Sequence, residues 1–279
     1  MEYLYHYTSL DTLELILKNK TICFNNLLNV DDVEETKTND MGDFGKYIYV
    51  SCWTLSSEES IPLWSMYTQD MHGVRIGMPK MPFKKYHYRV GEFGFTEELD
   101  SCINYNDKLL QKCSIIANNP ILESVKYTDN ENELFPIVRK ESYLGAAVDY
   151  MNASAVEKVG NAEISYSFET LGKCKRKEWE FQNECRYIIH VWPMGIGEFS
   201  KGSFELHQEF VRRMEDRNNE PPVDKIFLSL DEFCFDNMEI VLGPKMNEFE
   251  KNKVDKLLED YAPNSVCRDS NLKIRMPQK

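Results

Sequence analysis

The amino-acid sequence predicts an α+β protein with mixed, mainly antiparallel twisted sheets and flanking helices. Three observations lead to this fold class. Strand-like and helix-like segments follow one another without the strict β-α-β order of a doubly wound parallel sheet. The chain has 279 residues, of which 42% are hydrophobic, and this is enough for a substantial buried core. No internal repeat, low-complexity tract or Pro/Ser-rich linker divides the sequence, so we expect a single domain over residues 1–279.

The N-terminal part of the chain is predicted to alternate between strands and short helices. An aromatic run from Tyr3 to Tyr7 predicts the opening strand, and Thr8 with Asp11 has the spacing of a capping box at the start of a helix. Apolar residues then recur at helical spacing up to Leu17. Pro62 suits the first turn of a short helix. Further strands are predicted at residues 20–25, 47–54, 73–78 and 86–90.

The second half of the chain is predicted to begin with a helical insertion. Residues 133–158 have helical composition despite Pro136 and Gly145, which predicts the insertion at about residues 133–160. A basic loop then leads into a strand over Cys185 to Trp192. The remaining predicted elements are helices near residues 204–217 and 247–260, strands at KIFLSL and MEIVLG, and a final strand pair around Val266 and Ile274.

Charge and cysteine content restrict the compartment and the partners. The 46 Asp and Glu residues exceed the 33 Lys and Arg residues, and the net charge of −13 disfavours non-specific attraction to nucleic acid or anionic lipid. No apolar run of about 18 residues is present. The eight cysteines include no C-x-x-C pair. We therefore expect a cytoplasmic protein with reduced thiols, no membrane association and no bound metal.

Several common catalytic motifs are absent from the sequence. It contains no G-x-G-x-x-G, G-x-x-x-x-G-K-[ST], G-x-S-x-G or H-E-x-x-H. A nucleophilic pair of Cys52 and His72 is one alternative. The acidic stretch that contains Asp32 and Glu35 has oxygen ligands for a metal, but it lacks the glycine turn and the spacing of an EF-hand. A solvated acidic loop is the other interpretation of that stretch.

Two polar and aromatic groups are candidates for a ligand site. His6, followed by Tyr7 and Thr8 on the opening strand, can exchange hydrogen bonds with a ribose hydroxyl; alternatively, its ring is satisfied by neighbouring backbone. Trp53 and Tyr67 could stack on a base or a nicotinamide ring. Ser51 and Ser65 would supply hydroxyls beside them. The alternative for this second group is an aromatic core between a strand and a helix.

A carboxylate at the edge of a late strand is the third candidate. Glu184 precedes Arg186 and follows a basic run that includes Lys177, so neighbouring cations would keep it ionised. Glu180 is the rival carboxylate. The alternative interpretation is a ladder of surface ion pairs, which is common in proteins.

The order of these segments resembles one bacterial family, domain of unknown function 2971. The resemblance runs from about Tyr3 to Ile274 and is carried by HYTS, the acidic loop, VSCWT, LWSMY, HGVRIGM, KEWEFQNECRY and EIVLGPK. The chain departs from the family pattern at the acidic loop, where Asp31-Asp32-Val33 stands in place of the usual Asn-Asp-Pro. Asp32 and Glu35 still match.

A more distant resemblance is to ADP-ribosyltransferases of the His-Tyr-Glu type, and it implies an ADP-ribosyltransferase-like core. In that superfamily the histidine holds the adenosine-side ribose of NAD, the tyrosine stacks on nicotinamide, and the glutamate stabilises the oxocarbenium-like transition state. The matching positions are His6, Tyr67 (or Trp53) and Glu184. For the NAD ligand that this resemblance implies, Arg75, Lys177 or Arg186 could meet the pyrophosphate, because arginine and lysine are the usual partners of phosphate oxygens.

Taken together, the residues and the resemblance predict a protein that binds NAD as a substrate and transfers ADP-ribose to a protein, a nucleic acid or water. A bacterial toxin or antiphage effector with an antitoxin or an activating partner is the expected setting. A non-catalytic nucleotide sensor that uses the same aromatic pocket is a second hypothesis. A metal-dependent nuclease or phosphoesterase built on Asp32, Glu35 and His72 is a third.

Overall fold

The computed structural model describes residues 2–143, 162–200 and 203–275. Within these ranges the protein is a mixed α/β structure whose sheets are open and mainly antiparallel, in agreement with the predicted α+β class. The strands are β1 (Tyr3–Thr8), β2 (Thr21–Asn26), β3 (Ile48–Thr54), β4 (Val74–Pro79), β5 (Tyr86–Tyr88), β6 (Leu99–Ser101), β7 (Ser114–Ile115), β8 (Ile121–Ser124), β9 (Lys126–Tyr127), β10 (Arg139–Tyr143), β11 (Ala162–Tyr166), β12 (Cys174–Lys175), β13 (Glu184–Trp192), β14 (Lys225–Ser229), β15 (Glu239–Leu242) and β16 (Val266–Asp269). The helices are α1 (Leu10–Asn19), α2 (Ile61–Tyr67), α3 (Glu131–Leu134), α4 (Ser203–Glu215), α5 (Glu232–Asp236) and α6 (Glu248–Tyr261).

Ten strands form the main sheet, in the order β14-β2-β3-β1-β4-β15-β16, with β13 along β3 and with β7 and β8 along β13. The β15–β16 pair is parallel, and the other pairs of this sheet are antiparallel. Three two-stranded sheets, β10-β11, β12-β9 and β5-β6, lie outside it. Short 3-10 turns connect several elements, and one of them, Lys177–Gln182, leads directly into β13.

One edge of β3 is divided between two neighbouring strands. β2 pairs with β3 at Asn25↔Val50 and Asn26↔Tyr49, whereas β1 pairs with it at Tyr5↔Thr54. Between these pairings, residues 51–53 of β3 have no partner strand on this edge within the described chain. The sheet therefore forks at the middle of β3, and a gap opens between β1 and β2.

The helix α1 covers this fork on one side and carries part of the core. Its buried residues are Leu13, Ile16 and Leu17, as the apolar spacing predicted. It packs beside α6, which buries Val254, Leu257 and Leu258. The buried residues of both helices belong to the same hydrophobic core.

The predicted capping of the first helix is displaced by one residue. The side chain of Ser9, not that of Thr8, accepts the hydrogen bond from the Thr12 amide. Thr8 remains in β1, paired with Val74 of β4. The strand β1 is therefore one residue longer than the capping-box pattern indicated, because it includes Thr8.

Two predictions in the second half of the chain are wrong in part. The helical insertion predicted at about 133–160 is a strand over Arg139–Tyr143, which pairs with β11, and the helix α3 ends before it; residues 144–161 lie outside the described residues. The segment around Ile274 is not a strand. Instead, Ile274 packs as irregular chain against a small apolar cluster that contains Tyr7 and Trp64.

Two further observations concern the expected compartment. All eight cysteines are free thiols. In the part of the chain that the structure describes, none of the helices combines the length and the apolar character that crossing a bilayer requires.

Candidate functional site

A cavity of about 350 Å³ opens at the fork in the sheet. Its walls come from β1, β2, β3, α1, the loop after β2, the end of α2, and the segment that enters β13. Seven of the residues predicted from the sequence line this cavity: His6, Tyr7, Thr8, Ser51, Trp53, Tyr67 and Glu184. The fork therefore brings together groups that are distant along the chain.

His6 occupies the gap between β1 and β3. Its Nδ1 lies 2.8 Å from the carbonyl oxygen of Cys52, which belongs to the stretch of β3 without a partner strand on this edge. Burial lowers the pKa of His6, and the hydrogen bond to Cys52 opposes this only in part. The neutral ring donates its Nδ1–H to the carbonyl, so Nε2 is the acceptor that remains for a ligand.

The opening of the sheet also explains how His6 and Glu184 reach one cavity. The register Tyr5↔Thr54↔Glu184 places Glu184 on the same face as Tyr5. In a continuous sheet, His6 would face the opposite side because side chains alternate. Since β1 and β3 pair at one position only, the strands diverge beyond it, and the cavity between them is lined by both residues.

The lowered pKa of His6 predicts a contribution to acid sensitivity. The unfolded state, with a histidine pKa of about 6.5, binds more protons than the folded state below that pH, so stability falls as pH decreases from about 6.5 toward the folded pKa. We expect the urea midpoint to fall between pH 7.5 and pH 5.5, and to fall less in His6→Gln. The exposed His87, paired with Asp100, provides the control variant His87→Gln.

Part of the decrease in the urea midpoint will remain in His6→Gln, because burial and Lys173 lower the pKa of His190 to about 4. The informative quantity is therefore the decrease in the urea midpoint of the wild type minus the decrease in that of His6→Gln. An identical drop in the wild type and in His6→Gln would contradict the prediction.

Aromatic side chains form much of the cavity wall. Trp53 is buried, lies 5.2 Å from His6 between ring centroids, and donates its indole N–H to Ser51 Oγ at 3.0 Å. Tyr7 accepts a hydrogen bond from the Ser60 amide at 2.9 Å. These contacts fix the orientation of each ring, so the wall is preorganised for a flat ligand.

Tyr67 links the two sides of the cavity mouth. Its hydroxyl donates to Asp31 Oδ2 at 2.8 Å and accepts from Gln182 Nε2 at 2.7 Å. Burial, together with the neighbouring Asp31, raises the pKa of this phenol well above its ordinary range. Tyr67 therefore stays protonated and bridges the acidic loop to the segment before β13.

Glu184 belongs to a buried charge cluster, which consists of Glu35, Lys175, Glu184 and Arg186. The Glu184 Oε1 atom accepts from Arg186 Nε at 2.9 Å and Nη2 at 2.6 Å, and Oε2 accepts from Lys175 Nζ at 2.7 Å. Glu35 contacts the same two cations: Arg186 Nη1 donates to its Oε2, and Lys175 Nζ lies 3.2 Å from its Oε1. Side-chain exposure in the cluster is 0–5%.

The buried charge cluster keeps Glu184 ionised. Burial by itself would raise the pKa of this carboxyl, but the attraction of Arg186 and Lys175 outweighs it, so the pKa of Glu184 is lowered. The two carboxylates hold the pKa of Lys175 above its ordinary value despite burial. Two cations and two carboxylates thus balance in a region where the side chains are almost completely buried.

Four predicted ligand contacts do not line the cavity. Ser65 is exposed on α2. Lys177 is exposed and pairs with Asp129 at 2.7 Å. Arg186 is completely buried behind Glu184. Arg75 lies under Tyr5, with its guanidinium carbon 3.9 Å from the ring centroid.

The basic run before β13 is neutralised by acidic residues from other segments. Lys173 pairs with Glu123, Arg176 with Glu34 and Glu131, and Lys177 with Asp129. The remaining member of the run, Lys175, belongs to the buried charge cluster. The ion-pair interpretation of this run is therefore the one that the structure supports. The rival carboxylate Glu180 is exposed on the 3-10 turn and is not part of the cavity wall.

The residues of the two alternative catalytic groups have separate surroundings. Asp32 caps the Glu34 amide, Glu35 lies in the buried charge cluster, and His72 pairs with Glu250 at 3.0 Å. Among the described residues, no group of three His, Cys, Asp or Glu side chains is arranged to hold a metal ion. Burial and the nearby Glu184 raise the pKa of the Cys52 thiol well above its ordinary value, which disfavours a nucleophilic thiolate.

Several cavity residues were not predicted as site residues. Lys175 and Gln182 line the cavity and connect Glu184 to Tyr67 through hydrogen bonds at 2.7–2.9 Å. Asn25 and Asn29 belong to the wall that β2 and its following loop provide. The proximity of Lys175 and Gln182 to Glu184 in the sequence was the available signal. Asn29 begins the acidic stretch singled out in the sequence, whereas no comparable signal marks Asn25.

Comparison of the chain with protein-family models, curated proteins and solved structures returned no match.

Proposed function

We propose that the cavity binds NAD and that the protein cleaves the bond between nicotinamide and ribose, transferring ADP-ribose to a macromolecule or to water. The observation that carries this proposal is the ionised Glu184 carboxylate in the wall of a cavity that His6, Trp53 and Tyr67 also line. A bacterial toxin or antiphage effector in the cytoplasm, controlled by an antitoxin or an activating protein, is the setting that we propose for this activity.

The reaction requires little covalent participation by the protein. The C1′–N bond breaks, and its electron pair leaves with nicotinamide, which becomes neutral. The positive charge develops on the ribose, and a water molecule or an acceptor nucleophile forms the new bond at C1′ and releases a proton. A preorganised carboxylate stabilises the developing charge, and groups of this type contribute about 3 kcal/mol to transition-state stabilisation.

The proposed ligand contacts follow from the cavity wall. His6 Nε2 accepts a hydrogen bond from a ribose hydroxyl, because Nδ1 already donates to Cys52. Trp53 and Tyr67 flank the nicotinamide ring. Glu184 faces the ribose next to that ring. The cavity volume of about 350 Å³ lies within the ordinary range for small-molecule sites.

A second candidate function is nucleotide binding without turnover. Both oxygens of Glu184 already accept hydrogen bonds from Lys175 and Arg186. A carboxylate held in this way can contribute to the shape and charge of a sensor pocket without contacting a reacting ribose. In this case the protein would bind NAD or a related nucleotide and form no product.

The test measures nicotinamide release and NAD binding with the same protein. We expect the wild type to release nicotinamide and ADP-ribose, and His6→Ala to raise the KM for NAD about 10-fold through loss of one hydrogen bond and of packing. His207→Ala, at an exposed position on α4, is the matched control and should behave as the wild type. Calorimetric binding of NAD without product would favour the sensor. Absence of both binding and product would refute both functions.

A further inference from the structure

Arg75 is a buried cation without a carboxylate partner in the described chain. Its side chain is 1% exposed and lies on β4 opposite Tyr7 of β1. Only Nη2 forms hydrogen bonds, to the carbonyl oxygens of Ser57 at 2.7 Å and Ser56 at 3.5 Å. The Nε and Nη1 groups are buried and have no hydrogen-bond partner.

This arrangement differs from that of the other fully buried arginine. Arg186 uses all three guanidinium nitrogens and balances its charge with two carboxylates. Arg75 has only carbonyl dipoles and the faces of Tyr5 and Tyr7, at 3.9 and 5.9 Å from the ring centroids. Cation–π contacts and carbonyls reduce the desolvation penalty of a guanidinium, but they supply no negative charge.

The position of Arg75 connects it to the cavity. Tyr5, Tyr7 and Thr54 line the cavity, and the loop at residues 55–60, which follows Thr54, covers the guanidinium. This loop is attached to β1 through the Ser60 amide, which donates to Tyr7. The contact of Nη2 to Ser56 is long, and the Nε–H and both N–H bonds of Nη1 have no acceptor.

We propose that Arg75, which lies next to this cavity beneath the 55–60 loop, is an anion-binding residue, and that the phosphate of a nucleotide ligand in the cavity supplies the missing negative charge by displacing the Ser56–Ser57 carbonyls. This inference deepens the proposed function and rests on it for the nature of the ligand. Arginine suits this role because its planar guanidinium donates several parallel hydrogen bonds to phosphate oxygens. Lys177 and Arg186, by contrast, already pair with carboxylates.

The test uses AMP, adenosine and inorganic phosphate with the full chain and needs no turnover. We expect AMP at about 100 times its Kd to raise the Tm of the wild type by about 5 °C, and adenosine to bind at least about 10-fold more weakly than AMP. Inorganic phosphate should raise the Tm relative to chloride at equal ionic strength. In Arg75→Met the difference between AMP and adenosine should disappear. Arg212→Met, at an exposed position on α4, should keep it.

The Tm without ligand gives a second readout. Because Arg75→Met removes an uncompensated buried charge and keeps an unbranched side chain of similar length, we expect its ligand-free Tm to equal or exceed that of the wild type. If Arg75→Met fails to fold, Arg75→Gln is used in its place for the same comparison of AMP with adenosine. The comparison of the Tm in phosphate with the Tm in chloride uses the wild-type protein only.

Specific outcomes would overturn the inference. Equal affinity of the wild type for AMP and adenosine would do so, and so would an AMP preference that persists in Arg75→Met. These results are separable from nicotinamide release. Binding of AMP through Arg75 without NAD cleavage would refute the proposed reaction alone, and NAD cleavage with phosphate-independent binding would refute the role of Arg75 alone.

Discussion

Replacing Arg186 with methionine will lower the free energy of unfolding by about 3–5 kcal/mol, because it leaves two buried carboxylates to share one cation. Arg186 is completely buried and donates to both Glu35 and Glu184. Methionine fills a similar volume, so the loss is mainly electrostatic. Equilibrium unfolding in urea at pH 7 measures the free energy of unfolding. An unchanged m-value would confirm that the wild type and Arg186→Met expose similar surface on unfolding.

The neighbouring surface arginine provides the control. Arg176 pairs with Glu34 and Glu131, but its side chain is 30% exposed. Water screens exposed ion pairs, so Arg176→Met should change the free energy of unfolding by no more than about 1 kcal/mol. Similar losses in Arg176→Met and Arg186→Met would show that burial does not distinguish the two sites.

A double variant separates charge imbalance from lost packing. Arg186→Met combined with Glu35→Leu leaves Lys175 and Glu184 as a neutral pair at 2.7 Å. The double variant should therefore be more stable than Arg186→Met alone, although it carries one more substitution. A double variant that is less stable than either single variant would indicate that packing, not charge balance, governs the cluster.

The buried charge cluster also shows how far the sequence could predict the site. Glu184 and Arg186 are two residues apart in a strand, so their side chains share a face, and the sequence predicted a carboxylate held by cations there. Glu35 lies 151 residues from Arg186 in the sequence. It matched a motif in the acidic loop, for which a metal ligand and a solvated loop were the two interpretations, because nothing in the local pattern shows which cation a distant carboxylate will meet.

The same limit applies to the secondary structure. The strands β1, β2, β3, β4 and β13 were predicted because aromatic and β-branched residues concentrate in short runs, and this signal is local. The antiparallel pair of β10 and β11 was missed since Arg139 to Tyr143 (RKESY) has mostly helix-forming residues and becomes a strand only through its partner. Tertiary pairing there overrides local propensity.

The fork in the sheet could not be predicted from the sequence at all. It depends on β3 pairing first with β2 and then with β1 along one edge, and that register is a property of the assembled sheet. The sequence nevertheless contained the residue that fits the gap. His6 lies where its Nδ1 donates to a strand carbonyl, so the interpretation that neighbouring backbone satisfies the ring is confirmed for that nitrogen. The contact of its Nε2 with a ligand stays a prediction.

Glu184→Gln will reduce the rate of nicotinamide release by about 100-fold or more, since a charge-stabilising group of this kind contributes about 3 kcal/mol to the transition state. The amide has nearly the same shape, but it carries no negative charge to place against the developing ribosyl cation. Because the pKa of Glu184 is lowered in the fold, the wild-type carboxylate is fully ionised at the assay pH, and the comparison isolates the charge. Steady-state kinetics with NAD gives kcat and KM separately.

Glu180→Gln is the matched control, because Glu180 lies on the exposed 3-10 turn four residues before Glu184 and outside the cavity. It should keep wild-type rates. In Glu184→Gln, Lys175 and Arg186 still pair with Glu35, but one buried cation is left unbalanced, so we expect a lower Tm than that of the wild type. The Tm and the NAD affinity by calorimetry establish that the variant is folded at the assay temperature. A folded variant that binds NAD and fails to cleave it would identify Glu184 as the charge that drives bond breakage. Equal rates in Glu184→Gln and the wild type would instead show that Glu184 has a structural role. In that case it would belong to the balanced buried charge cluster and would not contact the reacting atoms.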